Sequence, residues 1–351
     1  MNSKTASQPI VVAKAPAPSP ATSFSIGGLF RRPEAGACLG LFGVFVFFIA
    51  FGSIDFLKPA GAASWLNVAA NLGIVAFPIG LLMIAGELDI SIGSMIPAGS
   101  MTVAIISGYY GLPIWLGIAA TLGLGVVVGL VNGFLVVRTN VPSLIVTLGT
   151  LFAVAGLVLG LSVLLTGTTS VALKAPELAK FLFGRFVANT FQVIIFWWLA
   201  LTAIYIYVIH YSPYGNWIFA MGGDKVSARN AGIPTARLTI ALFVLSSTSA
   251  AFVGMCQAIL FNSAQVSAGM SFIFNSIISV VVGGVLLTGG FGSIVGIFFG
   301  TITFAVVNQG IYFTTFDRNW SSLIIGVMLL LAVLMNNTFR SMALSYSPKK
   351  K

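Results

Sequence analysis

Charge is what this sequence has least of. Asp, Glu, Lys and Arg make up 7% of its 351 residues, and only seven of them are acids. A soluble domain carries about 25% charged residues, because its surface faces water. So little charge cannot coat a water-facing globule of this size, which excludes a soluble enzyme, a nucleic-acid binder and a disordered scaffold. Histidine occurs once, at His210, where the sixth apolar run ends; alone at that edge it reads as structural. The two cysteines, Cys38 and Cys256, lie singly inside apolar runs. That gives no disulfide framework and no metal-ligand spacing. Also missing are a GxxxxGK[ST] phosphate loop, an HExxH pair and a GxSxG elbow. The chain therefore has no signature for holding ATP, a catalytic metal or an acyl nucleophile.

What is present is hydrophobic length. Apolar residues reach 58%, and 39 glycines are spread among them, as in closely packed membrane helices. A membrane helix takes about 20 apolar residues. Ten such runs can be drawn: 36–57, 65–85, 91–109, 112–137, 142–166, 190–211, 237–261, 274–289, 292–313 and 320–336. The expected fold is all-α, a polytopic domain over 36–337 lying in a lipid bilayer, with about ten transmembrane helices, some broken or re-entrant. Residues 1–35, rich in Ala, Pro and Ser, are expected to be a disordered cytoplasmic tail. Residues 338–351 read as a basic cytoplasmic tail. A signal peptide is the competing reading of the first run. Gly36–Leu57 exceeds a usual signal core, and no small-residue cleavage site follows, so a retained anchor is expected.

Basic residues set the orientation. With the N-terminus inside and ten crossings, only Lys58, Lys174, Lys180, Arg185 and Arg318 fall outside; the other twelve of 17 fall inside. Two connections are long: 167–189 outside and 212–236 inside.

Two interruptions are polar or glycine-rich. Gly86-Glu87-Leu88-Asp89 separates the second and third runs, and Thr288-Gly289-Gly290-Phe291-Gly292 the eighth and ninth. They read as tight turns or as broken helices whose irregular backbone faces protein or a water path. Gly93-Ser94 and Gly292-Ser293 open the runs that follow, a short hint of two related halves. Glu87 and Asp89 either shape a translocation path or inner gate, or lie in a hydrated turn where Asp89 caps the next helix. In the inner loop, Gly222-Gly223 permits a sharp turn, Asp224 can cap a short helix running to Arg229, and Gly232 can end it. That helix is either a docking element for a cytosolic partner or an ordinary solvated loop. Asn67, Asn71, Asn132, Gln257, Asn262, Gln265, Asn275 and Asn308 lie in or beside the runs. Amides both donate and accept, which suits a neutral polar solute, and they equally hold helices together. There is no series of intramembrane acids to build an ion relay.

Four stretches together resemble the membrane permease subunit of ribose-type ABC importers, the carbohydrate-uptake branch. Gly86-Glu87-Leu88-Asp89-Ile90-Ser91-Ile92-Gly93-Ser94 is similar to the family's G-x-x-D-L-S-x-G-S. Val131-Asn132-Gly133 with the segment from Val141 to Thr150 is similar to NG…VP-x-x-I-x-T-L-G-T. The stretch Tyr214 to Ile233 is similar to its G-G-N-x-x-A-A-R-x-x-G-I loop. Val281-Val282-Gly283-Gly284 with Gly289-Gly290-Phe291-Gly292-Ser293 is similar to V-x-G-G…G-G-x-G-S, and Asn308-Gln309-Gly310 falls at its N-N-G. The resemblance covers about 65–335. It implies a non-catalytic subunit of the bacterial inner membrane, both termini cytoplasmic, that imports a sugar or polyol. A self-contained secondary transporter or channel is the alternative. The resemblance implies that Gly222, Gly223, Asp224, Ala228, Arg229 and Gly232 form the loop that couples to cytosolic ABC ATPases. Those ATPases, not this chain, would hold ATP and Mg. It also implies a second permease subunit and an extracytoplasmic solute-binding protein. The expected path or gate is Glu87, Asp89, Asn71, Asn132, Gln257, Asn275 and Asn308. The expected helix-break glycines are Gly86, Gly93, Gly283, Gly284, Gly289, Gly290 and Gly292. Departures are Asp at 224, Asn at 230, and Phe272-Ile273-Phe274-Asn275-Ser276 where the family often has an acidic E-x-D pair.

Overall fold

The computed structural model describes residues 33–139, 141–315 and 317–320, together with 322, 323, 326, 327, 330, 331 and 334. The tails lie outside these residues, except that 33–35 already belong to the first helix. Most of the tenth run lies outside them as well; its scattered described positions are helical.

The chain is helical almost throughout. In order come α1 (Pro33–Phe51), α2 (Pro59–Ile84), α3 (Ile92–Val103), α4 (Ile114–Arg138), α5 (Ser143–Thr166), α6 (Glu177–Phe183) and α7 (Ile194–Tyr211). Then follow α8 (Pro213–Gly223), α9 (Lys225–Asn230), α10 (Thr235–Phe261), α11 (Met270–Val282) and α12 (Ile294–Gly310). A π-helical turn, Ala104–Tyr109, extends α3. Among the described residues, eight helices are long and apolar enough to cross a membrane. They are all-α crossings of a polytopic membrane protein, as the apolar runs require: in lipid each backbone polar group must be satisfied within its own segment.

Two helices form the centre. α2 is enclosed along most of its length, and α10 packs along α4 and α3. The α4–α10 contact is made by glycines one turn apart. A Cβ at Gly125 or Gly133 would sit 2.7 Å from the Cα of Thr248 or Ile240. Apolar burial cannot drive association in lipid, so close backbone approach over small residues does so. α5 is the opposite case, with most of its apolar side chains facing outward.

The connections gather at two ends. At one, Gly290 N–H donates to Ile84 O (2.8 Å), Leu88 N–H donates to Ser143 Oγ (3.1 Å), and Lys225 pairs with Glu87. We call this the junction end. At the other, Ser53 N–H donates to Phe313 O (2.7 Å), and a two-stranded ladder joins β1 (Ser170–Ala172) to β4 (Ser263–Gln265). A hairpin of β2 (Phe186–Val187) and β3 (Phe191–Gln192) also lies there, with Ala188 and Asn189 in the left-handed region.

The eighth run departs from the expected span 274–289. Its helix, α11, has 13 residues, about 20 Å at 1.5 Å per residue, short of a hydrocarbon core of about 30 Å. The backbone at Gly269 lies against Gly93 and Pro97 of α3, so the segment before α11 already runs inside the bundle. After Val282 the chain continues irregularly to Ser293. Gly284, Gly289 and Gly290 have φ of +88°, +82° and +73°, which an α-helix does not accommodate. The proposed likeness of Gly93-Ser94 to Gly292-Ser293 does not extend to their roles. Ser293 caps α12, its Oγ accepting from Gly296 N–H at 2.9 Å, whereas Ser94 lies within α3 and donates to Ser91 O.

Candidate translocation and coupling site

The inner loop is two short helices meeting at a corner. Pro213 starts α8 at a position where its missing N–H costs nothing, and Ser212 Oγ accepts from Tyr214 N–H (3.3 Å). Gly222 and Gly223 close α8 within the helix itself. The corner is made by Asp224, which is extended (φ −155°, ψ 107°). Its carboxylate accepts from Val226 N–H (2.9 Å), Ser227 N–H (3.2 Å) and Ser227 Oγ (2.7 Å). These bonds, the Ser227 hydroxyl first, hold its pKa below the usual 3.8. Ala228 is buried under α9, Val226 and Arg229 are exposed, and Gly232 (φ +88°) turns the chain away. The result is a short capped helix at the junction end.

That corner touches both helix breaks at once. A Cβ on Gly222 would run into Ile84 O and Gly290 N, far inside van der Waals contact. One on Gly289 would lie 2.9 Å from Gly222 O and 3.2 Å from Gly86 Cα. Three segments that are remote in sequence thus meet as bare backbone: the end of α2 at Gly86, the Gly289-Gly290 loop and the end of α8. Lys225 reaches across the same junction to the carboxylate of Glu87.

Asp89 and Asn132 occupy a second, fully buried cluster. Thr150 Oγ1 donates to Asn132 Oδ1 (2.6 Å), and Asn132 Nδ2 donates to Ser91 Oγ (3.0 Å). Ser91 then donates through both Oγ (2.6 Å) and N–H (2.9 Å) to Asp89 Oδ1. Asp89 Oδ2 is buried without a hydrogen bond. The relay pins the irregular stretch 85–91 to α4 and α5. Ile90 N–H donates to Thr147 Oγ1 (3.3 Å) in support. Ser91, Thr147 and Thr150 were not singled out from sequence, although all three lie inside the motif stretches.

Asn71 and Gln257 meet nearer the opposite end. Gln257 Nε2 donates to Asn71 Oδ1 (3.3 Å), and Asn71 Nδ2 donates to Gln192 Oε1 (2.9 Å). Asn67 holds the β2–β3 hairpin in place, accepting from Gln192 N–H (2.8 Å) and donating to Thr190 O (3.0 Å). A small pocket opens here, lined by Asn71, Gln192, Gln257, Arg185 and Phe183 and by the apolar Val193, Ile194, Cys256 and Leu260. Its three amides are bonded to one another, and the space left takes about one water molecule rather than a sugar. Sequence reading passed over Gln192; the turn signal at Ala188-Asn189-Thr190 could have marked its hairpin.

The remaining path residues lie apart from both clusters. Asn275 is half-buried on α11, where its carbonyl accepts from Ser279 Oγ, and Asn308 accepts from Gln309 Nε2 (2.8 Å). Gly93, expected at a helix break, instead lies inside α3 against Ile273, and Gly283 lies against Gly296 of α12. Among the described residues, no group of His, Cys, Asp and Glu is arranged to hold a metal ion.

Comparison with known proteins agrees with this architecture. Residues 61–333 match the family described as branched-chain amino acid transport system / permease component. The fructose import permease protein of Rhizobium meliloti is 28% identical, over 84% of this chain and 83% of that protein. The autoinducer 2 import system permease protein of Photorhabdus laumondii is 30% identical, over 75% and 78%. The galactose/methyl galactoside import permease protein of Haemophilus influenzae is 27% identical, over 87% and 94%. No solved structure matches. With most of its length matched, from the N-terminal part of α2 to beyond α12, the chain belongs to this family of transport-system permease components and is a permease subunit of an ABC importer.

Proposed function

We propose that this chain is the inner-membrane route for a sugar or polyol, moved inward while partner ATPases hydrolyse ATP. The observation that carries the reading is the junction of Gly222 with Ile84 and Gly290. A displacement of α8–α9 there acts directly on both irregular segments of the bundle. Short helices at the face that meets an ATPase, packed on the breaks of the membrane helices, suit transmission of a nucleotide-driven motion. ATP and Mg reside in the partner subunits, and this chain supplies route and coupling. A second permease subunit completes the path, and an extracytoplasmic binding protein delivers solute to the Asn71–Gln192–Gln257 end.

The junction end faces the cytoplasm, with both termini there, because twelve of the 17 Lys and Arg then fall inside, eight of them in the two tails. The solute class rests on relatives named for fructose and galactose import. The test is isolation of the tagged chain from its host in mild detergent, with every co-purifying chain identified. A nucleotide-binding subunit and a second permease are expected. A chain that purifies alone and transports in ATP-free liposomes overturns the reading in favour of a gradient-driven carrier.

A further inference from the structure

We infer that the Glu87–Lys225 ion pair is the side-chain tie through which α9 pulls on the α2–α3 break, so that transport is coupled to ATP hydrolysis through this pair. The inference rests on the docking reading of α9 given above and adds to it the residues that transmit the motion.

Three observations converge. First, acids are scarce, seven in 351 residues. Among the described residues three ion pairs form, and two are local: Lys58–Asp55 and Lys180–Glu177, each three residues apart near helix starts. Glu87–Lys225 alone of the three is long-range; its carboxylate is 11% exposed and its lysine 41% exposed. A carboxylate so nearly removed from water is costly unless paired, which gives the contact directional strength that an exposed pair lacks.

Second, the junction itself is backbone, and the buried side chains that seat α8 and α9 on the bundle, Ile218, Met221 and Ala228, are apolar and non-directional. Gly222, Gly86, Gly289 and Gly290 meet as backbone, and a Cβ on Gly86 would meet nothing within 4 Å. Such a joint resists compression but can slide. The pair spans it: Glu87 directly follows Gly86, and Lys225 is the first residue of α9.

Third, the load has somewhere to go. Glu87 N–H donates to Leu82 O (2.8 Å), inside the last turn of α2. The next residues donate to α5 through Leu88 N–H and Ile90 N–H, and Asp89–Ser91 connects to Asn132 of α4. A pull on Glu87 therefore reaches α2, α4 and α5 through contiguous hydrogen bonds. Such a route needs direct coupling evidence, which paired variants supply.

The experiment compares wild type, Glu87→Gln, Lys225→Gln and the swapped pair Glu87→Lys with Lys225→Glu, each isolated with its partner subunits. Solute uptake and ATP hydrolysis are measured on the same preparation. The single variants are expected to assemble with the ATPase at wild-type yield and to lose about tenfold in solute moved per ATP. The swapped pair is expected to recover most of that loss, an outcome that a purely structural role of either residue does not produce. Glu87→Asp, which keeps the charge and shortens the reach, is expected to fall between, and it serves if Glu87→Gln does not insert. Wild-type solute per ATP in the single variants, or a swapped pair no better than either of them, overturns the inference. Failure of the wild-type chain to bring down any ATPase overturns the docking reading instead.

Discussion

Gly222 and Gly223 are neighbours of the same type in the same helix turn, yet the structure assigns them opposite sensitivities. Replacing Gly222 by Ala places a methyl group against two backbone atoms, Ile84 O and Gly290 N, which cannot rotate aside. The same two atoms form the 2.8 Å hydrogen bond that joins the breaks. Overpacking of this kind costs about 1–3 kcal/mol. Losing the hydrogen bond adds about 1 kcal/mol. Alanine's better helix propensity returns about 1 kcal/mol. The net is about 1–3 kcal/mol against the joined state, roughly 5- to 150-fold in its population. Gly223→Ala meets nothing within 4 Å and gains only the helix term, about 0.5–1 kcal/mol in favour of folding. Uptake of radiolabelled solute, normalised to inserted protein, is expected to fall at least severalfold for Gly222→Ala and to stay at wild type for Gly223→Ala. Equal uptake in the two variants would refute the steric account of the junction.

Other expectations follow from the clusters. Asn132→Ala removes its hydrogen bonds with Ser91 and Thr150, although Ser91 keeps Asp89 and Thr150 keeps Val146 O, and a loss of about 1–3 kcal/mol in detergent-solubilised stability is expected. Asn308→Ala, whose side-chain oxygen is held by neighbouring Gln309, should stay within about 0.5 kcal/mol in the same thermal assay. Asn71→Ala and Gln257→Ala each remove part of one amide network, so each should reduce solute uptake by about fivefold with insertion unchanged. Equal and full uptake in both would remove that pocket from the path. Asp224 has its pKa lowered by folding, so its cap is intact above the ordinary 3.8 and is lost as pH falls through the lowered value. Hydrogen-exchange protection at Val226 and Ser227, taken relative to the intrinsic rate at each pH, should fall on that acidification, and Asp224→Ala should show the low protection already at neutral pH.

The glycine-rich motif stretches illustrate how much of the site is local. Asp224 as a helix cap and Gly232 as a chain reversal follow from side-chain and backbone preferences within a few residues, so spacing reveals them. Gly289 and Gly290 as a helix interruption follow likewise from conformations that other residues avoid. The role of Gly222 is different. Its need for a bare Cα comes from Ile84 and Gly290, each more than 60 residues away, and no local pattern encodes that approach. Asp89 shows the same limit from the other side. Its neighbours suggest a hydrated turn or a gate, whereas Ser91, Asn132 and Thr150 draw it into a closed relay.

The sequence by itself determined that the chain lies in a membrane and that nearly all of it is helical, and it marked the interruptions at 86–89 and 288–292. Those properties depend on the transfer of apolar side chains from water and on backbone preferences, which sum along the chain. Only the tertiary structure decided that α11 stops short and finishes as an irregular segment. Only it divided the polar residues into a buried latch, an amide pocket and a cross-junction ion pair. Those outcomes depend on which helices touch at which level, and in a bundle where apolar side chains suit lipid as well as protein, hydrophobic pattern does not specify that. Close glycine contacts and a few long-range hydrogen bonds do.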